Sequence, residues 1–196
     1  INAHEVGTGK TFTMGGIAVE SRRYGIAKKP LLLAHNANSA SVAAEIQMMY
    51  PAAKVLYVDN LSPATVDVKL RQIANDDWDA VVLPHSLMDR LTFRKDTLMG
   101  LAAEEIAQLE EAAHEAASDD GTKLTPEMLA DEDELKKLRS PTAKELVKIR
   151  NRILNSIQIQ ADRASRPGAI PFEELGIDMV LVDEAHEFKK PPFTTK

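Results

Sequence analysis

The sequence of 196 residues contains no cysteine. This absence excludes a disulfide scaffold and a metal site built from thiolates. Aromatic residues make up only 5% of the chain, and no apolar run approaches the roughly 20 residues that a membrane span needs. The N-terminus shows no signal-peptide pattern. We therefore expect a globular protein of the cytoplasm with no membrane partner.

Basic residues are outnumbered by acidic ones, and the net charge is −6. This balance excludes a protein that is basic over its whole surface. It does not exclude a local basic surface, because phosphate contacts depend on where the charges sit. We interpret the lysine pairs at 28–29 and 189–190 as solvated surface charge, with phosphate contact as the alternative.

Short apolar runs alternate with helical patterns outside the middle of the chain. The runs at residues 31–34, 54–58, 79–84 and 179–182 predict buried strands. Strands that alternate with helices in this way imply parallel βαβ units. The sequence therefore predicts an α/β fold with a parallel sheet.

Helices are predicted between these strands. Residues 12–23 have a helical pattern that a Gly15-Gly16 pair weakens slightly. A second helix runs up to Pro51, with Ser39 or Ser41 as its N-cap. Ser62-Pro63 begins a third helix, with proline at its first position.

Residues 94–166 consist almost entirely of helix formers, and their charges are segregated. Residues 103–134 carry twelve acidic side chains and one lysine, whereas residues 136–166 carry nine Lys or Arg and two acidic residues. Thr125-Pro126 and Ser140-Pro141 are helix-start signals. The pattern predicts an antiparallel helical hairpin whose arms attract each other; independently solvated amphipathic helices are the alternative. The predicted domains are residues 1–93 with 167–196, and an inserted hairpin at 94–166.

The run Gly7-Thr8-Gly9-Lys10-Thr11 is typical of a loop that cradles phosphate. The two glycines let the backbone approach an anion, and the following amides and helix dipole favour it. Lys10 would contact the β- and γ-phosphates, and the Thr11 hydroxyl would ligate Mg²⁺. The full motif has glycine where His4 stands. The alternative is a glycine-rich turn that a lysine follows by chance.

Asp183-Glu184-Ala185-His186 comes directly after the last apolar run. Asp183 would hold Mg²⁺ through water, Glu184 would polarise the attacking water, and His186 would lie near the γ-phosphate. Lys10, Glu184 and His186 are thus the candidate catalytic residues. The alternative is that the acidic pair only caps a polar strand end. The functional interpretation requires these carboxylates to lie within reach of Lys10.

Residues 3–11 and 182–186 resemble motifs I and II (the Walker A loop and the DEAH box) of superfamily-two helicases. The variant with His4 is similar to the Swi/Snf-like branch, and the likeness is greatest to large phage- and plasmid-type helicase-like proteins. The resemblance implies a three-layer RecA-like P-loop domain that binds ATP and Mg²⁺. It also implies a partner, a second RecA-like domain of the same parent chain that completes the ATP cleft.

The resemblance also suggests where nucleic acid would bind. Two loops loosely match the motifs that contact the nucleic-acid backbone, and double-stranded DNA is the favoured track. The candidate contacts are His35, Asn36, Asn38, His85 and Ser86. Ordinary polar loop residues are the alternative interpretation for all of them.

The chain begins without Met and with little of a strand ahead of the phosphate loop. We therefore expect a piece of a larger protein that hydrolyses ATP weakly, if at all, by itself. Two other functions remain open: a P-loop ATPase that does not act on nucleic acid, and a non-catalytic module that docks a partner through its charged hairpin.

Overall fold

A computed structural model describes residues 9–59 and 65–185. These residues form two compact units, one made of residues 9–92 and 166–185 and the other of residues 93–165. The predicted helix start at Ser62-Pro63 and the lysine pair 189–190 lie outside the described residues.

The first unit contains a sheet of four strands: β1 (Pro30–Ala34), β2 (Val55–Tyr57), β3 (Ala80–Pro84) and β4 (Met179–Val182). Their order is β2-β3-β1-β4, and every neighbouring pair is parallel. Helices flank this sheet. The predicted α/β class with a parallel sheet is confirmed, and the arrangement is consistent with a three-layer RecA-like fold.

Three helices accompany the sheet: α1 (Lys10–Arg23), α2 (Ser39–Met49) and α3 (Val66–Asn75). Helices α1 and α2 bury their apolar residues with one face of β1 and β3 in a shared core. Gly15 permits the close approach of α1 to α2, because a Cβ there would lie 2.7 Å from Ile46 Cγ1. The glycine that weakens the helical pattern locally is therefore required by packing.

The opposite face of β1 and β3 is also buried. Side chains alternate between the faces of a strand, and the second set in β1 and β3 is as inaccessible as the first. Leu70 and Ile73 of α3 are buried as well. Two 3-10 helices, His85–Arg90 and Phe172–Glu174, complete the unit.

Strand β4 is less buried than the sequence predicts. Val180 and Val182 are 46% and 37% exposed, although Leu181 packs against the core formed by α1 and α2. Among the described strands, β4 lies at the sheet edge beside β1. Val180 and Val182 lie on the same face of the strand, so the prediction of a fully buried strand is wrong for that face.

The predicted cap of α2 is also wrong. The helix begins at Ser39, and Asn38 occupies the N-cap position without a side-chain hydrogen bond. Ser39 is buried, and its Oγ lies 3.2 Å from both the Asn36 backbone oxygen and the Tyr57 hydroxyl. Its hydroxyl therefore holds the loop after β1 instead of capping the helix.

Lys29 is not the solvated surface charge that the sequence predicts. It is only 8% exposed, and its Nζ donates to the backbone oxygens of Ile73, Ala74 and Leu175, at 2.5, 3.2 and 3.1 Å. Two of these acceptors belong to the last turn of α3, where a cation complements the helix dipole. Burial lowers the pKa of Lys29 below its ordinary value of 10.5.

The second unit is helical and comprises α4 (Lys95–Asp119), α5 (Pro126–Ala130), α6 (Glu132–Lys136) and α7 (Pro141–Ala164). Helices α4 and α7 pack antiparallel, since residues early in α4 share a core with residues late in α7. The helix starts are confirmed: the side chains of Thr125 and Ser140 accept from backbone N–H groups as N-caps.

The predicted attraction between the hairpin's acidic and basic arms has one clear instance. Arg150 Nε of α7 lies 2.6 Å from Glu110 Oε1 of α4, and both side chains are partly buried. Most of the packing between the arms is apolar. Neither long helix, nor any other in the described part of the chain, is long and apolar enough to cross a membrane.

Candidate functional site

Three loops leave the sheet at one edge. Strands β1, β3 and β4 are neighbours and parallel, so the residues that follow them share the carboxyl edge of the sheet. Such edges are where open α/β sheets bind ligands. The polar residues that follow these strands are His35 and Asn36 after β1, His85 and Ser86 after β3, and Asp183 and Glu184 after β4.

Helix α1 begins at Lys10, directly after Gly9. Gly9 has a φ of +78°, a left-handed conformation that favours glycine. No side chain caps this helix start. The first backbone N–H groups of a helix lack intrahelical acceptors, and together with the helix dipole they attract anions. Lys10 and Thr11 both lie in this first turn and are partly exposed.

The structure brings the two predicted motifs together. Lys10 Nζ lies 3.4 Å from Glu184 Oε1, across 174 positions of sequence. The two side chains are 30% and 39% exposed, so solvent and ligands can reach the pair. The proximity that the functional interpretation requires is present in the fold.

Hydrogen bonds fix the backbone of Asp183 and Glu184, and Glu184 has a left-handed conformation. The Asp183 N–H donates to the Leu33 backbone oxygen at 2.8 Å, which continues the pairing with β1. The Glu184 N–H donates to Asp183 Oδ1 at 3.0 Å. Among the described non-glycine residues, Glu184 alone has a positive φ, +50°. Strained backbone of this kind concentrates at functional sites.

The loops after β1 and β3 contact each other. Asn36 Oδ1 accepts a hydrogen bond from the Ser86 backbone N–H at 3.1 Å. The rings of His35 and His85 meet edge to face, with centroids 6.3 Å apart. Asn38 lies exposed at the start of α2. Four of the five residues predicted to contact nucleic acid are therefore assembled into one surface feature.

Comparison with protein families adds an independent observation. A family model described as "Probable helicase domain" matches residues 1–196. The chain belongs to this family. Searches among curated proteins and among solved structures gave no match.

In this helicase domain, three of the predicted site residues fall outside the described part of the chain: Gly7, Thr8 and His186. The described residues hold Gly9, Lys10, Thr11, Asp183 and Glu184. Their roles toward a nucleotide stay predictions. Residues 9–59 and 65–185 contain no group of three His, Asp or Glu that could hold a metal by itself.

Tyr57 supports the site of the helicase domain and is not among the residues that the sequence predicts. Tyr57 ends β2, and its hydroxyl lies 3.2 Å from Ser39 Oγ beneath the loop after β1. A tyrosine at the carboxyl end of a predicted strand is a usable signal, because a buried phenol usually finds a hydrogen-bond partner.

Proposed function

We propose that this helicase domain is an ATP-binding motor domain of the superfamily-two type, with a DEAH box and a Swi/Snf-like phosphate loop, that acts on nucleic acid. The observation that carries the proposal is the approach of Lys10 to Glu184 at the N-terminus of α1. A lysine at a helix start beside carboxylates that follow a parallel strand is the arrangement that phosphoryl transfer uses. Membership in the helicase family supports the same function.

The residues present suit a magnesium nucleotide. Mg²⁺ prefers oxygen ligands and is usually held by one or two carboxylates together with substrate phosphates and water. The Thr11 hydroxyl and the Asp183 carboxylate supply such oxygens, and a cluster of three protein ligands is not needed. When bound, Mg²⁺ would neutralise the negative charge that develops on the phosphates.

The domain's own residues would act mainly by position and charge. Lys10 would leave Glu184 and bind the β- and γ-phosphates, since a triphosphate carries more negative charge than one carboxylate. Glu184 would then orient a water molecule. The water oxygen bonds to the γ-phosphorus as the bond to the β-phosphate oxygen breaks. ADP leaves, and the water's proton passes toward Glu184 and solvent.

The nucleic-acid track would cross the loops after β1 and β3. Asn36, Asn38 and Ser86 are exposed there, and amide, hydroxyl and imidazole groups donate hydrogen bonds to phosphate oxygens. We propose double-stranded DNA as the track. A second RecA-like domain would complete the ATP cleft, so hydrolysis by this domain alone is expected to be weak.

Nucleotide binding is therefore the sharpest test. The affinity for a non-hydrolysable MgATP analogue is measured by calorimetry for the wild type, Lys10→Ala and Lys54→Ala. Lys54 is exposed and precedes β2, at the opposite edge of the sheet. We expect Lys10→Ala to weaken binding at least tenfold and Lys54→Ala to leave it unchanged. Equal affinity in all three proteins, or no binding by the wild type, contradicts the proposal.

A further inference from the structure

Helix α7 carries a stripe of cations on one face of the helical unit. Lys144, Lys148 and Arg152 follow one another at intervals of four residues. Such residues lie one above the other on a helix, about 6 Å apart along the axis. The stripe therefore presents three positive charges over about 12 Å.

The stripe lines a groove with a volume of about 550 Å³ within this unit. Lys136 of α6 adds a fourth cation, which pairs with Asp133 at 2.6 Å. Asn151 and Asn155 add amide groups. Among the side chains that the structure describes, no acidic residue lines the groove. Leu135, the apolar residue among these lining side chains, is 3% exposed.

The three cations of the stripe have no ion-pair partner among the described residues. None of the ion pairs there includes Lys144, Lys148 or Arg152. The neighbouring Arg150 shows the contrast: Glu110, Asn151 and the Leu129 backbone oxygen accept its hydrogen bonds. Arg150 joins the helices of the hairpin, whereas the stripe faces solvent.

The stripe is also locally unfavourable for the helix. Like charges at an interval of four residues destabilise a helix by a few tenths of a kcal/mol per pair, and the stripe contains two such pairs. Sequences tend to depart from local preferences of this kind where function requires it. In a chain with a net charge of −6, a groove whose described lining carries three unpaired cations and no acidic residue indicates an anionic ligand.

We propose that this groove, formed by Lys136, Lys144, Lys148, Arg152, Asn151 and Asn155, binds the phosphate backbone of duplex DNA. The cations would neutralise successive phosphates and the asparagine amides would donate to phosphate oxygens. The described residues that line the groove include no aromatic side chain on which a base could stack, so the contact is independent of sequence. It also lacks the apolar anchor that protein interfaces usually have. The choice of nucleic acid over other polyanions rests on the proposed function.

The experiment measures binding of a fluorescent duplex DNA to the 196-residue chain over a range of salt, without nucleotide. The test variant is Lys144→Gln, Lys148→Gln and Arg152→Gln together. The matched control removes three exposed cations of the same unit outside the groove, with Lys123→Gln, Arg139→Gln and Arg163→Gln. Both variants change the net charge equally. A third variant keeps the charge, with Lys144→Arg, Lys148→Arg and Arg152→Lys.

We expect the test variant to bind DNA at least tenfold more weakly at moderate salt, while the control and charge-conserving variants stay near wild type. The slope of log affinity against log salt should fall by about 2 to 3, since each phosphate contact contributes about 0.9. An unchanged thermal midpoint shows that the test variant is folded. An equal loss in the control variant, or unchanged DNA affinity in a folded test variant, overturns the proposal.

Two further measurements separate this proposal from its competitors. If polyglutamate competes for the groove as strongly as DNA does, the groove is a general site for acidic chains and the proposal fails. If sedimentation shows self-association that the test variant abolishes, with no DNA binding in the wild type, the groove is an interface between copies and the proposal fails. Lys10→Ala should bind DNA normally, and the test variant should bind the MgATP analogue normally. The groove and the nucleotide site at Lys10 are therefore tested independently of each other.

Discussion

Lys10 Nζ and Glu184 Oε1 lie 3.4 Å apart, although 174 positions separate the two residues. The fold creates this pair by starting α1 and ending β4 at the same place. Because both side chains are partly exposed, the pair contributes at most about 1 kcal/mol to folding. A ligand with several negative charges can therefore displace the carboxylate at little cost.

The first prediction concerns the backbone of Glu184, whose φ is +50°. A left-handed conformation costs a non-glycine residue about 1–2 kcal/mol. Glu184→Gly should therefore be more stable than Glu184→Ala by about 1 kcal/mol in urea unfolding, although both remove the carboxylate. The same pair of substitutions at Glu104, in the middle of α4, should give the opposite order, because alanine favours a helix. If alanine is the more stable at both positions, the strain is absent.

The second prediction concerns the two adjacent glycines of α1. A Cβ at residue 15 would lie 2.7 Å from Ile46 Cγ1, whereas at residue 16 its nearest neighbour is the Tyr50 hydroxyl at 3.8 Å. Gly15→Ala should destabilise the fold by about 1–2 kcal/mol, since overpacking outweighs the gain in helix propensity. Gly16→Ala should stabilise it by up to about 1 kcal/mol. Chemical unfolding of both variants checks the sign, and a stabilising Gly15→Ala would refute the close approach.

These glycines show what the sequence can and cannot predict. Short apolar runs and cap residues are local signals, so the four strands and the starts of α5 and α7 follow from the sequence. The reason for Gly15 lies in Ile46, on another helix, and no local pattern contains it. The exposure of Val180 and Val182 likewise depends on what covers their face of β4, and the apolar run alone does not specify this.

The third prediction concerns Lys29, which donates to three backbone oxygens while nearly inaccessible to solvent. Lys29→Met would leave those oxygens without their donor and should lower the free energy of unfolding by about 2–4 kcal/mol. The exposed neighbour provides the control: Lys28→Met should change stability by less than about 0.5 kcal/mol. Equal effects from the two variants would show that the ammonium group contributes nothing specific.

The fourth prediction concerns Asp178, which precedes β4. The backbone N–H groups of Lys29 and Lys28 donate to its carboxylate at 3.0 and 2.7 Å, and they lower its pKa below the ordinary value of 3.8. As the pH falls, the Asp178 carboxylate is therefore protonated at a higher pH in the unfolded chain than in the folded one. Its contribution to stability is fully present above pH 3.8 and declines as the pH falls toward the pKa of the folded state.

Asp178→Asn accordingly should lower stability by about 0.5–1 kcal/mol at pH 7, a small effect because the side chain is exposed. The difference from wild type should shrink at pH 3. Urea unfolding at several pH values measures it, and Asp89→Asn, at another exposed position of the same unit, serves as the comparison. A difference that grows on acidification would mean that the carboxylate is not stabilised by these N–H groups.

The candidate site follows from the sequence only in outline. The two motifs and the rule that parallel strands end at one edge lead to the meeting of Lys10 with Glu184. The left-handed backbone of Glu184 and the hydrogen bond between Ser39 and Tyr57 depend on residues that are neighbours only in the folded structure. The burial of Lys29 does not follow from the sequence for the same reason, since its oxygen acceptors belong to residues more than 40 positions away.

The hydrogen bond from the Ser86 backbone to Asn36 has a mechanical consequence. It ties the loop after β1 to the loop after β3, so a force applied to either one is shared by both. A polymer bound at this edge would contact two loops that move together instead of two independent loops. Displacement of these joined loops would be passed to the adjoining strands β1 and β3, and through β1 to β4, which Asp183 follows.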